Sequence, residues 1–499
     1  MSDTARLVGY GAAVFLGSAA LLVIEIAAGR LLAPYVGMSL YTWTAIIGVV
    51  LAGLSVGNWL GGMWADRGAG PGAAGLTLGL AGAASAGSLA ALTWLAPWLE
   101  GRPLDLMQAA FLYAAGLFFM PALLLGVVTP LLTTLALRAS PRPGHVVGAM
   151  HALAALGSIV GTFAAGFWLV QRFGTRQVLA GTGAMLLLLA VPFLRSVRVA
   201  AIVLLGAAAA AATAWSRGGL ASPCQRESAY FCIRVVDVSA EVPWGEARAL
   251  VLDHLLHGAN HRQEPTLLLS PYMQAMLDLA LWHARRRGRP PAAVFFIGGG
   301  AYSLPRALGR LWPGTRLEVA ELDPAVTATA RRHLFVDTAA MRIVHGDARP
   351  VLARAHGSRY DLIVGDAFQD VAVPAHLLTL EFARLLRHRL AADGLYVLNV
   401  VDAWPEARLV GAVARTLKEA FAHVGVWRPA GTQGPARITF VVAATGAGPL
   451  PERPPPAFPW HGQWEPVARE RLDGAPALTD DLAPVERLIA PLMLGPRSR

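Results

Sequence analysis

Four short segments in the second half of the chain each follow an apolar run and carry either consecutive glycines or a carboxylate. They are Gly298-Gly299-Gly300, Glu321-Leu322-Asp323, Gly346-Asp347-Ala348 and Gly365-Asp366-Ala367. Glycines without a Cβ let the backbone approach a ligand closely. Glu321 can accept hydrogen bonds from both hydroxyls of a ribose, Asp347 can accept one from an adenine amino group, and Asp366 falls where a reacting centre would lie. The third glycine of the dinucleotide fingerprint is missing, so a nucleoside without pyrophosphate fits better than NAD. The expected nucleoside-binding set is Gly298, Gly299, Gly300, Glu321, Asp323, Asp347 and Ala348. Any one of these carboxylates could instead cap a helix, but four in register argue for one pocket.

The elements that must position these residues are legible as alternation. Strand-like runs at 293–297, 316–320, 341–344, 362–364 and 395–400 alternate with amphipathic stretches, which predicts a parallel sheet covered on both faces. Runs near 424–427 and 438–443 would complete a seven-stranded sheet, and 230–238 with 247–256 predict a small β-hairpin region ahead of it. In such open sheets ligands bind beyond the carboxyl ends of the strands, the edge all four segments occupy.

The first half is of another kind. The chain has 499 residues, 55% hydrophobic and only 15% charged, and charges up to about Trp215 are confined to short connectors. A bilayer core of about 30 Å needs about 20 apolar residues per helix. Seven runs qualify, near 8–29, 41–64, 73–98, 107–136, 146–170, 177–194 and 198–215, and the first is too long for a cleaved signal peptide. The expected domains are therefore a membrane domain at 1–216, a catalytic domain at 217–445 and a proline-rich tail with a short helix at 446–499. Small-residue patterns such as Gly53-x3-Gly57 and Gly157-x3-Gly161 predict close helix packing. Glu25 inside the first span needs a partner or a polar cavity, with Arg30, Asn58 and His151 as candidates.

The net charge of +10 comes from arginines with the single lysine Lys418, not clustered into a basic tract, and gives no support for nucleic-acid binding. Cys224 and Cys232 are too few for a structural zinc site, and no metal is expected. Two buried free thiols are the expectation for them, with a hairpin disulfide the alternative if that face is extracytoplasmic. The segment Gly57–Arg67 resembles the loop after the second helix of major facilitator transporters.

Over roughly 228–445 the chain resembles the spermidine synthase (polyamine aminopropyltransferase) family, on an S-adenosylmethionine methyltransferase-like fold. Glu227-Ser228-Ala229-Tyr230 and Leu252-Asp253 match the family's N-terminal β-region, and the four segments together with Tyr360–Asp366 match its nucleoside motifs. The whole chain is similar to members in which a membrane domain precedes the synthase domain. The resemblance implies aminopropyl transfer from decarboxylated S-adenosylmethionine to a diamine such as putrescine, releasing methylthioadenosine, with Asp366 binding the attacking amine and taking its proton and Tyr272 positioning it. It leaves a homodimer open. Because the donor is made in the cytoplasm, it favours a cytoplasmic C-terminal domain.

The chain departs from the family on the amine side. The acid after the three glycines is replaced by Ala301-Tyr302, the fourth motif continues Ala367-Phe368-Gln369-Asp370, and the acidic substrate motif is reduced to Pro271-Tyr272-Met273-Gln274. Asp253, His254 and His257 could line the same cavity. Asp480 or Asp481 is expected to cap a short helix, with a fold-back over the pocket as the alternative. An S-adenosylmethionine-dependent methyltransferase, or a polyamine transporter or sensor with a nucleoside-binding domain, are the competing functions.

Overall fold

The computed structural model describes residues 3–100, 102–194, 196–355, 359–368, 373–472 and 474–494. Gln369 and Asp370 of the fourth motif lie outside the described residues. The chain divides into two compact units, 1–232 and 233–499, so the break falls after the cysteine pair and the tail belongs to the second unit.

Among the described residues, the first unit contains seven helices long and apolar enough to cross a membrane: Asp3–Val36, Leu40–Asp66, Pro71–Glu100, Leu106–Arg138, Pro143–Phe173, Thr175–Phe193 and Val197–Ser216. Glycines set their closest approaches. A Cβ on Gly53, Gly57 or Gly61 would strike Phe119 O, Leu123 O or Val127 O of the fourth helix, and one on Gly157 or Gly161 would strike Phe15 O or Ala19 O of the first. The transporter-like segment at 57–67 is thus mainly the end of a helix, and its glycines at 57 and 61 serve packing.

Two expectations about this unit are corrected. Arg30 does not turn to Glu25: its guanidinium donates to Ser228 O (2.7 Å) and Tyr230 O (2.6 Å). Cys224 and Cys232 are joined in a disulfide across a Cα separation of 5.2 Å instead of being free thiols. The segment they bracket is held further by Glu227, which accepts from Thr175 N (2.9 Å) and Thr175 Oγ1 (2.5 Å).

The strands are β1 (Arg226–Glu227), β2 (Cys232–Asp237), β3 (Ala247–Leu252), β4 (Leu255–His261), β5 (Ala293–Ile297), β6 (Arg316–Glu321), β7 (Met341–His345), β8 (Tyr360–Gly365), β9 (Leu390–Trp404), β10 (His423–Pro429), β11 (Ala436–Thr445) and β12 (Trp464–Pro466). The expected hairpin is a meander, because the second run breaks at Asp253, whose φ of 53° turns the chain from β3 into β4. The large sheet has eight strands in the order β12-β10-β11-β9-β8-β5-β6-β7. The strands β5 to β9 run parallel and β11 is antiparallel to both neighbours. The eighth strand is the tail's Trp464–Pro466, paired to the edge of β10.

The central strands are buried on both faces, β5 and β8 completely, which is why they read as continuous apolar runs. Their carboxyl ends are fastened to one another. Gly298 N donates to Ala320 O, Gly346 N to Glu321 O and Asp366 N to Ile297 O, each at 2.9 Å, so all the motif loops start from one rigid edge.

Candidate functional site

The glycine loop leaves β5 with Gly298 at φ 91° and Gly300 at φ 51°, conformations that favour glycine. A Cβ on Gly298 would also strike the carbonyl oxygen of Asp366. The loop ends at Tyr302 (φ 58°), which starts the helix Ser303–Leu311. Tyr302 is fully buried and bonded to Thr327 Oγ1 at 2.7 Å, and a Cβ on Gly299 would lie 2.5 Å from its ring. Ala301-Tyr302, the departure from the family pattern, thus supplies an aromatic floor under the loop.

Glu321 ends β6 and braces that loop. Its Oε2 accepts from Gly299 N (2.8 Å) and Gly300 N (3.1 Å), and its Oε1 from Asp323 N (2.9 Å). Burial raises its carboxyl above the ordinary value, against the pull of these three amides. A carboxylate offers about four acceptor sites. Three are used by the backbone, which leaves one for a ligand hydroxyl where two were expected. Asp323 is not brought to the pocket surface: it is buried and caps the helix Pro324–His333 through Ala325 N (2.8 Å).

Asp347 caps the helix Ala348–Arg354 through Arg349 N (2.8 Å), and its other oxygen meets His376 Nε2 at 2.6 Å. Asp347 remains half-exposed while Ala348 is buried behind it.

Asp366 follows β8. Its Oδ1 accepts from Asn399 Nδ2 (3.1 Å) and, at a long 3.5 Å, from the Tyr272 hydroxyl. Burial drives its carboxyl up to about 7 despite both hydrogen bonds. Tyr272, in the first turn of the helix Pro271–Arg287, is itself raised well above the ordinary phenol value, by burial and then by the neighbouring Asp366, so it stays a hydroxyl donor. Asn399 is 1% exposed, and its Oδ1 is buried without a partner among the described residues. Sequence reasoning missed Asn399, although a lone amide inside the apolar run of β9 was the available signal.

Other expectations are redistributed. Gln274 faces away from this group: its amide donates to Leu268 O (2.7 Å) and accepts from Gly462 N (3.0 Å), which anchors the tail. His257 does lie by the glycine loop, its carbonyl 3.4 Å from a Cβ built on Gly300, and burial lowers its imidazole to about 4, so it is neutral. Asp253 and His254 form the β3–β4 turn. Asp480 does not cap the helix Val485–Leu488, which has no side-chain cap; it forms a two-pronged ion pair with Arg349, at 2.7 and 2.6 Å. The tail therefore folds back, but to the Asp347 side of the site.

A parallel core flanked by the antiparallel strands β11 and β12, with a glycine loop after its first strand and acids after the next three, defines the class as a Rossmann-like α/β domain. No protein-family model matches the chain. It is similar to polyamine aminopropyltransferase 2 of Streptomyces coelicolor, with 29% identity over 441 residues, 79% of this chain and 74% of that one. It is also similar to the polyamine aminopropyltransferase of Vibrio vulnificus, with 34% identity over 132 residues covering 26% of this chain and 42% of the relative. The chain thus spans less than half the length of that relative. Among solved structures, a probable spermidine synthase from Corynebacterium glutamicum aligns with a TM-score of 0.45 at 20% identity, over 51% of this chain and 95% of that one. Both of these curated relatives are polyamine aminopropyltransferases, the family that the sequence motifs resemble.

Proposed function

We propose that the second unit transfers an aminopropyl group from decarboxylated S-adenosylmethionine to a primary amine such as putrescine. The observation that carries this is Asp366: a buried carboxylate raised to about 7, joined by Tyr272 and Asn399, on the edge that also holds the glycine loop. The amine nitrogen attacks the propyl carbon, the C–N bond forms as the C–S bond breaks, and the electron pair passes to sulfur, giving neutral methylthioadenosine. The sulfonium already activates that carbon, so the protein's part is alignment and exclusion of water. Asp366 takes the proton the amine must lose, a task suited to a group that titrates near the working pH. Tyr272 orients the carboxylate, and Glu321 and Asp347 hold the nucleoside.

Purified full-length protein supplied with putrescine and the decarboxylated donor should release methylthioadenosine. Turnover of S-adenosylmethionine to S-adenosylhomocysteine would instead establish the methyltransferase reading, which Ala301 favours by removing an acid from the loop. The seven apolar helices support anchoring in a bilayer. The Cys224–Cys232 disulfide supports placing that segment in an oxidising compartment, against the cytoplasmic location that donor synthesis suggested. Alkylation of intact cells tests this: thiols that are blocked only after reduction support the extracytoplasmic side, and thiols blocked directly oppose it.

A further inference from the structure

The tail beyond residue 446 adds β12 to the edge of β10 and then brings Asp480 to Arg349, next to Asp347. Leu478 is fully buried, with its amide on Thr416 Oγ1 (2.8 Å) and its carbonyl receiving Leu380 N (2.8 Å). Two residues later Asp480 N donates to Glu381 Oε2 (3.0 Å), and the Asp480 carboxylate meets both terminal nitrogens of Arg349. This is the fork-to-fork geometry that fixes a guanidinium in orientation as well as position.

Arg349 is the residue through which Asp347 is held on both sides. Its backbone amide donates to one Asp347 oxygen, and its guanidinium donates to the carbonyl of His376 (3.1 Å), whose ring nitrogen sits on the other. The two arms that orient one carboxylate thus share a single anchor, and the tail grips that anchor. The ion pair survives across the physiological range, since hydrogen bonds from Arg349 and Thr379 lower Asp480 to about 2.

We infer that Asp480 is a positioning residue for base recognition: through Arg349 and His376 it aims the Asp347 carboxylate at the exocyclic amino group of the bound nucleoside, so the tail sets the preference for a 6-amino over a 6-oxo purine. The inference rests on the nucleoside assignment made above. It separates two roles for the tail, because a tail that only stabilised the fold would weaken all ligands alike.

The test is equilibrium binding of methylthioadenosine and methylthioinosine to the full-length protein in detergent. The wild-type chain should favour the 6-amino ligand. Asp480→Ala should lower that preference about three- to five-fold, the scale of a partly exposed ion pair. Asp480→Asn, which keeps side-chain shape and removes only charge, supplies the same comparison should the alanine variant fold poorly. An unchanged preference in Asp480→Asn, together with its loss in Asp347→Asn, would overturn the role of the tail while leaving the nucleoside site intact. Equal binding of both ligands, or none of either, by the wild-type chain would overturn the nucleoside assignment and the inference with it.

Discussion

Replacing Asp366 by Asn should make the protein inactive and, at alkaline pH, more stable. Burial raises the Asp366 carboxyl to about 7, whereas an aspartate in an unfolded chain titrates near 3.9. Between these values the native state holds a proton that the unfolded state has released, so stability falls as pH rises from about 4 to 7. Above pH 7 the native protein carries a buried anion, at a cost of up to about 4 kcal/mol for roughly three pH units at 1.36 kcal/mol each. By surface area Asp366 is only partly buried, and the hydration it keeps reduces the retained cost to about 2 kcal/mol. Asn removes the ionisation and keeps the shape. For a unit of this size about 2 kcal/mol corresponds to about 4–8 °C in the melting temperature. Melting of the full-length protein in detergent should therefore show a gap near zero at pH 4 that opens in favour of Asp366→Asn by pH 8. The variant's kcat/KM should fall by about 100- to 10,000-fold. A gap of the same size at both pH values would refute the argument from burial, and retained turnover would refute Asp366 as the base.

Three further expectations concern neighbouring and distant parts of the chain. Tyr272→Phe removes a hydrogen bond that holds Asp366 down, so the limb of the pH–rate profile near 7 should move to higher pH while kcat drops about tenfold; an unmoved limb would mean that the 3.5 Å contact is not made in solution. Gly298→Ala forces a side chain into a left-handed conformation against Asp366 O, at a cost of about 1–3 kcal/mol, and should abolish methylthioadenosine binding by calorimetry. Gly57→Val should lower the melting temperature of the helical unit because its Cβ meets Leu123 O, whereas Gly62→Val, with nothing within 4 Å, should leave it unchanged; equal effects would contradict the helix packing.

Much of the second unit was legible because its signals are local. Strands β5, β6 and β8 are apolar runs that end in glycine or an acid, and period and punctuation suffice to find them. Four features were illegible for the opposite reason. The break between β3 and β4 lies in an apolar stretch that only the left-handed Asp253 interrupts, and β12 is a strand solely because β10 offers it an edge. The partner of Arg30 lies 200 residues away in sequence, so a nearby acid such as Glu25 looked sufficient. The Asp480–Arg349 pair is likewise a long-range choice, since an acid before a short helix has the composition of a cap whichever way its side chain turns. Pairing of Cys224 with Cys232 depends on compartment as well as spacing, and spacing alone was consistent with either state.

The same long-range view bears on the acceptor, where the chain lacks most of the acids of the family it resembles. What remains at the reacting end is a set of acceptors in need of donors. Asp366 sits high because burial strips its hydration, and the buried Asn399 Oδ1 has no partner among the described residues. An unpaired buried acceptor costs about 1–3 kcal/mol, which a ligand recovers only by bringing N–H or O–H groups. A primary amine offers several donors from one nitrogen and, when it arrives protonated, the positive charge that Asp366 lacks. A carboxylate or phenolate acceptor would instead set a second negative charge against Asp366, with no added donor to offset it. Asp366 and Asn399 therefore support the nitrogen nucleophile proposed above independently of the donor.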